Sequence, residues 1–255
     1  ELSGERRGDA MAGRVMPGEF VGPVPEEGDV RLGSGTAQHG GVIKATKAGA
    51  LKKSKVPRRF WVETKHQRYI PAVDDLVVGV ILDVHAENFT VDVGGPVAAQ
   101  LPILDFNGAT RRNRPQLRHG DVVYARVTLA DRDIDPAISC VDNKMKGLGP
   151  LKDGYTLRCT TGCARDLLSD TGDKSVLHLL GQHFQYECCL GVNGVCWIKG
   201  QSHRETILLK NAVQNYQNIK GMSSAGDADA GLVEKNVKRM VDQLVRVHQD
   251  TGDSD

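Results

Sequence analysis

Five short runs of alternating apolar residues, with one long connection between the third and the fourth, constrain the fold of this chain more than any other feature. Alternation with a period of two is typical of half-buried strands. Five such strands with a single long crossing fit the five-stranded Greek-key barrel called the OB-fold. The runs are 75–81, 89–94, 97–101, 120–127 and 138–141, and the long connection is 105–119.

A mixed α/β unit is predicted after a short glycine-containing linker at 144–149. It begins with a strand at 155–159, continues with helical turns at 163–168 and 175–180, and ends with a longer helix at 205–219. Asp173 or Ser175 could cap the second helical turn. Beyond a linker at 221–231, residues 232–247 carry apolar side chains at spacings of three and four. This spacing predicts an amphipathic helix that packs either on this protein or on a partner.

The tetrapeptide Gly191-Val192-Asn193-Gly194 stands between two strand-like runs, 184–190 and 195–198. A Gly-x-x-Gly motif is the backbone clamp with which KH domains hold phosphates, and there it joins two helices. Here neither middle residue is basic, and Asn-Gly between alternating runs is a strong hairpin signal because both residues tolerate positive φ. We therefore favour a structural turn made by Gly191, Asn193 and Gly194, with a phosphate clamp as the alternative.

The first part of the chain is predicted to be disordered over 1–13 and to form a small β unit over 14–66. Its short apolar pieces are broken by Gly and Pro, as expected of a β unit with a modest core. A basic loop is predicted within it, as either a solvated loop or a contact for RNA or an acidic partner. Its cations are Lys52, Lys53, Lys55, Arg58 and Arg59.

Composition limits the range of functions. The chain has 33 Lys and Arg residues against 32 Asp and Glu, so any RNA contact must come from a local basic patch. Aromatic residues make up only 5%, too few for an obvious base-stacking platform. No apolar run approaches the length of a membrane span, and no secretory signal is visible. We predict no membrane association and no cofactor.

The densest local charge lies in the long connection of the predicted barrel. Arg111, Arg112 and Arg114 stand close together, and Arg118 follows. An arginine side chain suits phosphate because its planar fork donates two parallel hydrogen bonds. Loops that border the strands of OB-folds bind single strands. These four arginines therefore predict sequence-tolerant, salt-sensitive RNA binding, although a solvated loop or a salt-bridge patch between subunits is the alternative.

No catalytic or metal-binding arrangement is predicted. Asp131, Asp133 and Asp135 alternate at a likely hairpin tip, but Arg132 interrupts them, and the glycine and distal glutamate of a calcium loop are missing. The six cysteines include no C-x-x-C pair, so buried thiols are favoured over a zinc site. Neither a Walker-type loop nor a Rossmann fingerprint is present.

Several of these motifs together resemble the cap subunits of the eukaryotic RNA exosome, and among them the family called ribosomal RNA-processing protein forty. The resemblance covers about residues 15–220. The run from Gly108 to Pro115, Gly-Ala-Thr-Arg-Arg-Asn-Arg-Pro, favours this family over its sister cap proteins. The motifs are Tyr69-Ile70-Pro71, Gly79-Val80-Ile81, Val91-Asp92-Val93-Gly94-Gly95, 106–115, 120–124, and Gly191-Val192-Asn193-Gly194 with Trp197-Ile198.

The resemblance implies a mainly β chain with an α+β part: a small N-terminal β domain at 14–66, an OB barrel of the ribosomal-protein S-one type at 67–145, and a KH-type domain at 150–220. A linker at 221–231 and an amphipathic helix at 232–248 complete the predicted organisation. The resemblance also implies a non-catalytic subunit that sits on a ring of RNase-PH-like proteins beside other cap subunits. Such a subunit would guide RNA to a separate nuclease in the nucleus, nucleolus and cytoplasm.

Two other functions are compatible with OB and KH modules. A free-standing RNA-binding or translation factor would carry the same domains without a ring. A phosphorolytic exonuclease of the polynucleotide phosphorylase kind carries KH before OB, whereas here the OB pattern comes first and no residues remain for a catalytic domain.

Overall fold

The computed structural model describes residues 13–24, 29–54, 58–64, 68–131, 133–142, 147–169, 175–223 and 230–250. It divides into two compact units, Glu1–Lys65 and His66–Asp255. The segment predicted to be disordered, 1–13, lies outside the described residues except for Gly13.

The first unit consists of two small sheets. One has the order β1-β6-β7-β3 and the other the order β2-β5-β4. Their strands are short because Gly and Pro interrupt the sequence, and their inward residues, such as Val21, Ile43 and Val62, form one small core. The strands are β1 (Arg14–Val15), β2 (Phe20–Pro23), β3 (Arg31–Leu32), β4 (Thr36–His39), β5 (Val42–Ala45), β6 (Gly49–Ser54) and β7 (Arg59–Glu63).

Three of the five cations that the sequence placed in a loop, Lys52, Lys53 and Arg59, lie on the paired strands β6 and β7. Lys52 and Lys53 lie on β6 and pair with Trp61 and Phe60 on β7. Arg59 is the first residue of β7, and Lys55 lies outside the described residues. Strand geometry therefore sends these cations to opposite faces of the sheet, because successive side chains alternate.

The second unit begins with a closed barrel of five strands. β8 (Leu76–Val84), β9 (Asn88–Asp92) and β10 (Ala99–Pro102) form a meander, and β11 (Val122–Leu129) pairs with β8. β12 (Ala137–Ser139) closes the barrel because it pairs with both β10 and β11. The parallel pairing of β12 with β10 is what the long connection between β10 and β11 makes possible.

The barrel interior is filled by the apolar residues of the alternating pattern. Val77, Ile81, Phe89, Val91 and Val123 are all at most 1% exposed. Burial of such side chains stabilises the barrel by about 2 kcal/mol each. A sixth strand, β13 (Gly149–Leu151), adds to the free edge of β11 and leads out of the barrel.

The second half of this unit has the order strand, two helices, two strands, helix. β14 (Tyr155–Arg158), β15 (Tyr186–Leu190) and β16 (Val195–Gly200) form an antiparallel sheet in the order β14-β16-β15. The helices α1 (Thr161–Ser169), α2 (Val176–Gly181) and α3 (His203–Ser223) pack on it. Ser175 precedes α2 but makes no side-chain cap, and Asp173 lies outside the described residues.

The last helix, α4 (Ala230–Asp250), contacts α2 and α3. Its apolar residues Val237, Met240 and Val241 are buried in the core of the α/β half. The sequence left open whether this helix packs on its own chain or on a partner, and in the structure it packs on its own chain. The ends of the predicted linker 221–231 are helical, since α3 continues to Ser223 and α4 starts at Ala230, while 224–229 lie outside the described residues.

These elements confirm the predicted fold class: a mainly β chain with a small N-terminal β unit, a five-stranded OB barrel and an α/β part with the order expected of a KH domain. No helix among the described residues is long and apolar enough to cross a membrane.

Candidate RNA interface and the contact between barrel and KH domain

The long connection of the barrel is fixed at its start by the barrel itself. Phe106 bridges to Cys140 beside β12, and its ring meets Phe89 edge-on with centroids 6.1 Å apart. The Cys140 amide also donates to the carbonyl of Asp105 over 2.9 Å. The arginine-rich stretch that follows therefore leaves from a rigid base.

Residues 110–113 form a tight turn that presents two of the predicted arginines. The Thr110 amide donates to the Asn113 carbonyl, and the Asn113 amide donates to Thr110 Oγ1, both over 3.0 Å. Arg111 and Arg112 lie between these residues and are exposed. The turn thus orders the backbone while it leaves both guanidinium groups in solvent.

Arg114 and Arg118 are also exposed, but their surroundings differ. Arg114 Nη1 donates to the carbonyl of Ala86 over 3.2 Å, which ties the arginine stretch to the turn between β8 and β9. The backbone amide of Arg118 donates to Asp121 Oδ2 over 2.7 Å, and this bond leaves its side chain unused. Sequence reasoning missed the anchoring bond of Arg114, because Ala86 lies in a distant turn.

No carboxylate of the described residues forms an ion pair with any of these four arginines. Arginines that already serve in salt bridges would have to give them up before they could bind phosphate. Because these four carry no such bridge within the described part of the chain, their charge is available to an anionic ligand.

A polar surface lies on the neighbouring strands β9 and β10 and on the turn before β9. Asn88 Nδ2 donates to Gln100 Oε1 over 2.8 Å, and His85 Nε2 lies 3.2 Å from Thr90 Oγ1. Sequence reasoning did not single these residues out, although the alternation of β9 marks Asn88 and Thr90 as outward-facing. These side chains offer hydrogen-bonding groups next to the arginine stretch.

The predicted structural turn lies between β15 and β16, which pair from Leu190 and Cys196 onwards. Gly194 has φ +79°, and a Cβ there would lie 2.5 Å from the carbonyl oxygen of Cys159. Only glycine fits this position without strain. Asn193 is not among the positive-φ residues, so of the Asn-Gly pair only Gly194 adopts the positive φ that both residue types tolerate.

The side chain of Asn193 reaches the barrel instead of shaping the turn. Its Oδ1 accepts from the Val78 amide over 3.3 Å, and its Nδ2 donates to the carbonyls of Val78 and Val93 over 2.8 and 2.9 Å. The Val192 amide donates to the Leu76 carbonyl over 2.8 Å. Asn193 is 7% exposed and Val78 is fully buried.

These bonds take the place of strand pairing along part of β8. β9 ends at Asp92, opposite Val80, so the backbone of β8 before Val80 has no partner from β9. The Gly191–Gly194 turn supplies that hydrogen-bonding partner. Gly191 is needed as well, since a Cβ there would overlap Asn193 Oδ1 and approach the Val78 amide to 2.7 Å. The phosphate-clamp alternative requires a free backbone, and here the turn is packed against the barrel.

Two further contacts join the same surfaces. Arg158 Nη2 lies 3.4 Å from Asp92 Oδ2, and the Tyr124 hydroxyl donates to the Leu190 carbonyl over 3.4 Å. Burial raises the pKa of Tyr124 to about 12.

The aspartates and cysteines considered as possible metal ligands do not come together in one site among the described residues. Among the described residues, no group of three or more His, Cys, Asp or Glu side chains could hold a metal ion. Asp131 Oδ1 instead accepts from the Asp133 amide over 3.0 Å, which makes a local turn. All six cysteines are free thiols, and burial raises the pKa of Cys140 to about 12 and that of Cys189 to about 11.

Comparison with known proteins identifies the family. Residues 69–149 match the model of the S1 domain of exosome complex component RRP40, and residues 154–204 match a KH-domain model. A Dictyostelium discoideum protein named as exosome complex component rrp40 is 41% identical over 234 residues, which span 87% of this chain and 97% of that protein.

The chain belongs to the RRP40 family.

Other members of the family are similarly close. Exosome complex component RRP40 of Drosophila melanogaster is 38% identical over 204 residues, which cover 78% of this chain and 87% of that protein. The solved structure of an exosome complex RNA-binding protein matches with a TM-score of 0.57 at 20% identity, covering 71% of this chain and 99% of that one. The structural likeness supports the fold.

Family membership gives the two surfaces their context. Both lie within the matched regions: the arginine stretch belongs to the RRP40 S1 domain, and the Asn193 turn belongs to the KH domain. The resemblance inferred from sequence motifs is therefore confirmed.

Proposed function

We propose that this RRP40-family protein is a non-catalytic, RNA-binding cap subunit of the RNA exosome. It guides single-stranded RNA toward a separate nuclease for processing and degradation, including the processing of ribosomal RNA. The observation that carries the proposal is the exposed group of Arg111, Arg112, Arg114 and Arg118 on a rigid base, without an ion pair to any described carboxylate.

The arrangement favours contact with the phosphate backbone over reading of bases. Of the aromatic residues in the barrel, Tyr69, Phe89 and Phe106 are buried and Tyr124 bonds to the KH half. Base stacking needs exposed rings, whereas arginines bind any phosphate. Binding through the four arginines is therefore tolerant of sequence and strongly dependent on salt.

The KH half serves as a packing domain. Its Gly191–Gly194 turn is bonded to β8, and the segment between α1 and α2, where the clamp of a KH domain would stand, reads Asp170-Thr171-Gly172-Asp173-Lys174 and holds a single glycine. The KH domain thereby uses this turn to pack against the barrel.

The partners in this proposal are RNase-PH-like ring subunits and the other cap subunits, and the protein acts in the nucleus, nucleolus and cytoplasm without a cofactor. Its relatives are named as exosome complex components, which supports the assignment to that assembly.

A binding and cleavage assay on the purified chain tests the proposal. We expect the protein to retain single-stranded RNA in low salt and to leave it uncut in the presence of Mg²⁺. Arg111→Glu with Arg112→Glu should weaken RNA binding, while Arg165→Glu, an exposed arginine on α1, serves as the control. Metal-dependent cleavage by the isolated chain would contradict the non-catalytic assignment.

A further inference from the structure

The outer face of the β1-β6-β7-β3 sheet in the first unit brings two arginines side by side. Arg31 on β3 and Arg59 on β7 are register partners in a parallel pair, and both side chains are exposed. Register partners point to the same face of a sheet. The next pair in the ladder, Leu32 and Phe60, points to the other face, where Phe60 belongs to the core.

Like charges at neighbouring positions of two strands destabilise the pair. No carboxylate of the described residues forms an ion pair with Arg31 or Arg59. The acid on this face is already engaged, because Glu63 Oε1 accepts from Trp61 Nε1 over 3.4 Å and its Oε2 lies 3.8 Å from Lys52 Nζ. The charge of the two arginines is thus left for a ligand from outside.

An aromatic ring lies on the same face. Trp61 follows Arg59 by two residues on β7 and is half-buried. The neighbouring position on the β3 side is Gly33, whose amide donates to the Phe60 carbonyl over 2.7 Å. A Cβ at Gly33 would lie 2.7 Å from Trp61 Cβ, so the backbone of Gly33 packs closely against the base of the Trp61 side chain and only glycine fits beside it.

We propose that this face, made by Arg31, Arg59 and Trp61, is a second binding site for single-stranded RNA. The two arginines hold successive phosphates, and a base stacks on the indole of Trp61. Single-strand sites combine cations that track the backbone with aromatic rings that stack bases, and this face has both. Arg59 is one of the five cations that the sequence analysis assigned to a basic loop.

This site is independent of the arginine stretch in the barrel. It lies in the other compact unit and has the aromatic ring that the barrel surface lacks. It predicts a stacking contribution and a fluorescence signal that the barrel site cannot give. An experiment can therefore disprove one of the two proposed sites and leave the other standing.

Tryptophan fluorescence of the full chain tests the proposal. The protein has two tryptophans, and Trp197 is 4% exposed, so a change on adding oligoadenylate reports mainly on Trp61. We expect quenching by RNA in low salt, and its loss in Trp61→Phe would assign the signal. Trp61→Leu should weaken RNA binding about tenfold.

Neutralising the arginines supplies the second measurement. Arg31→Gln with Arg59→Gln should abolish the quenching and lower the dependence of log affinity on log salt by about 1.4 for two lost phosphate contacts. Lys44→Gln with Lys47→Gln removes the same charge from exposed positions of the same unit and should leave both unchanged. Because the arginines repel each other, their removal should not lower the melting temperature.

Three results would overturn the proposal. One is equal RNA affinity and quenching in the arginine and lysine double variants. Another is a lower melting temperature of the arginine double variant, since the pair would then stabilise the fold. The third is quenching by polyglutamate but not by oligoadenylate, which would make the face a site for an acidic protein.

Discussion

The side chain of Asn193 completes the edge of a strand at Val78, a residue 115 positions away in the sequence. One amide group satisfies both the N–H and the C=O of Val78, as a paired strand would. The Gly191–Gly194 turn, whose sequence resembles a phosphate clamp, therefore forms a joint between the barrel and the KH domain.

Removal of this amide should destabilise the second unit. Asn193→Ala leaves the Val78 amide and the Val78 and Val93 carbonyls without their partner in a buried place, which should cost about 3 kcal/mol. Urea unfolding measures the loss as a lower midpoint. Asn107→Ala, at an exposed position, is the matched control and should leave the midpoint unchanged.

The last glycine of the turn is required for two reasons that can be separated. Gly194→Ala suffers both from positive φ and from overlap with the Cys159 carbonyl, whereas Gly120→Ala suffers from φ +91° alone. We expect Gly194→Ala to lower the melting temperature clearly more than Gly120→Ala does. Equal losses would show that the close approach to Cys159 carries no weight.

The arginines of the barrel should differ in what they do. Arg111→Ala should weaken RNA binding and leave the loop ordered, because the hydrogen bonds of its turn are made by Thr110 and Asn113. Arg114→Ala should weaken RNA binding and also raise hydrogen exchange at residues 110–113, because the bond to Ala86 is lost. If Arg111→Ala raised exchange equally, the anchoring role assigned to Arg114 would be wrong.

The last helix should be needed for stability of the KH domain. Val241→Asp places a carboxylate in the core shared with α2 and α3 and should cost several kcal/mol, about 3 or more. Gln243→Asp adds the same charge at an exposed position of the same helix and should be nearly neutral. Circular dichroism during heating compares the two.

Stability should fall in alkaline solution because buried thiols resist ionisation. The pKa of Cys140 is raised to about 12 in the folded protein, whereas an unfolded cysteine titrates near about 8.5. Above that pH the unfolded chain loses the proton first, so the stabilisation is full below pH of about 8.5 and is lost as pH rises toward 12. The loss amounts to about 2 kcal/mol at a pH of about 10.

Urea midpoints at a pH of about 8 and of about 10 test this relation. Cys140→Ala should show a smaller fall between the two values than the unchanged protein. Cys159 makes a useful contrast, because a hydrogen bond from Cys163 lowers its pKa. An identical fall in Cys140→Ala would remove Cys140 as a source of the alkaline sensitivity.

The barrel could be predicted because its signal is local. The alternation around Phe89 and Val91 determines which face is buried, and the one long connection determines the topology. The exposed arginine stretch followed from charge alone. Its detailed geometry did not, because the bond from Arg114 to Ala86 joins two loops that only the folded barrel brings together.

The joint at Asn193 and the last helix show that a local sequence pattern does not predict long-range contacts. The Asn-Gly signal predicted a turn, but the partners of Asn193, Val78 on β8 and Val93 just after β9, lie more than 90 residues away. Likewise, the spacing of Val237 and Val241 predicted an apolar helix face without indicating what covers it. The side-by-side placement of Arg31 and Arg59 depends on parallel pairing, which no local pattern reveals.

The composition and native mass of the assembly recovered with the tagged chain test the central claim most directly. We expect the chain in a large complex with RNase-PH-like ring subunits and other cap subunits, and we expect the complex to survive Arg111→Glu with Arg112→Glu while RNA entry is weakened. Recovery of the chain as a monomer without ring subunits would contradict the account and favour a free-standing RNA-binding factor.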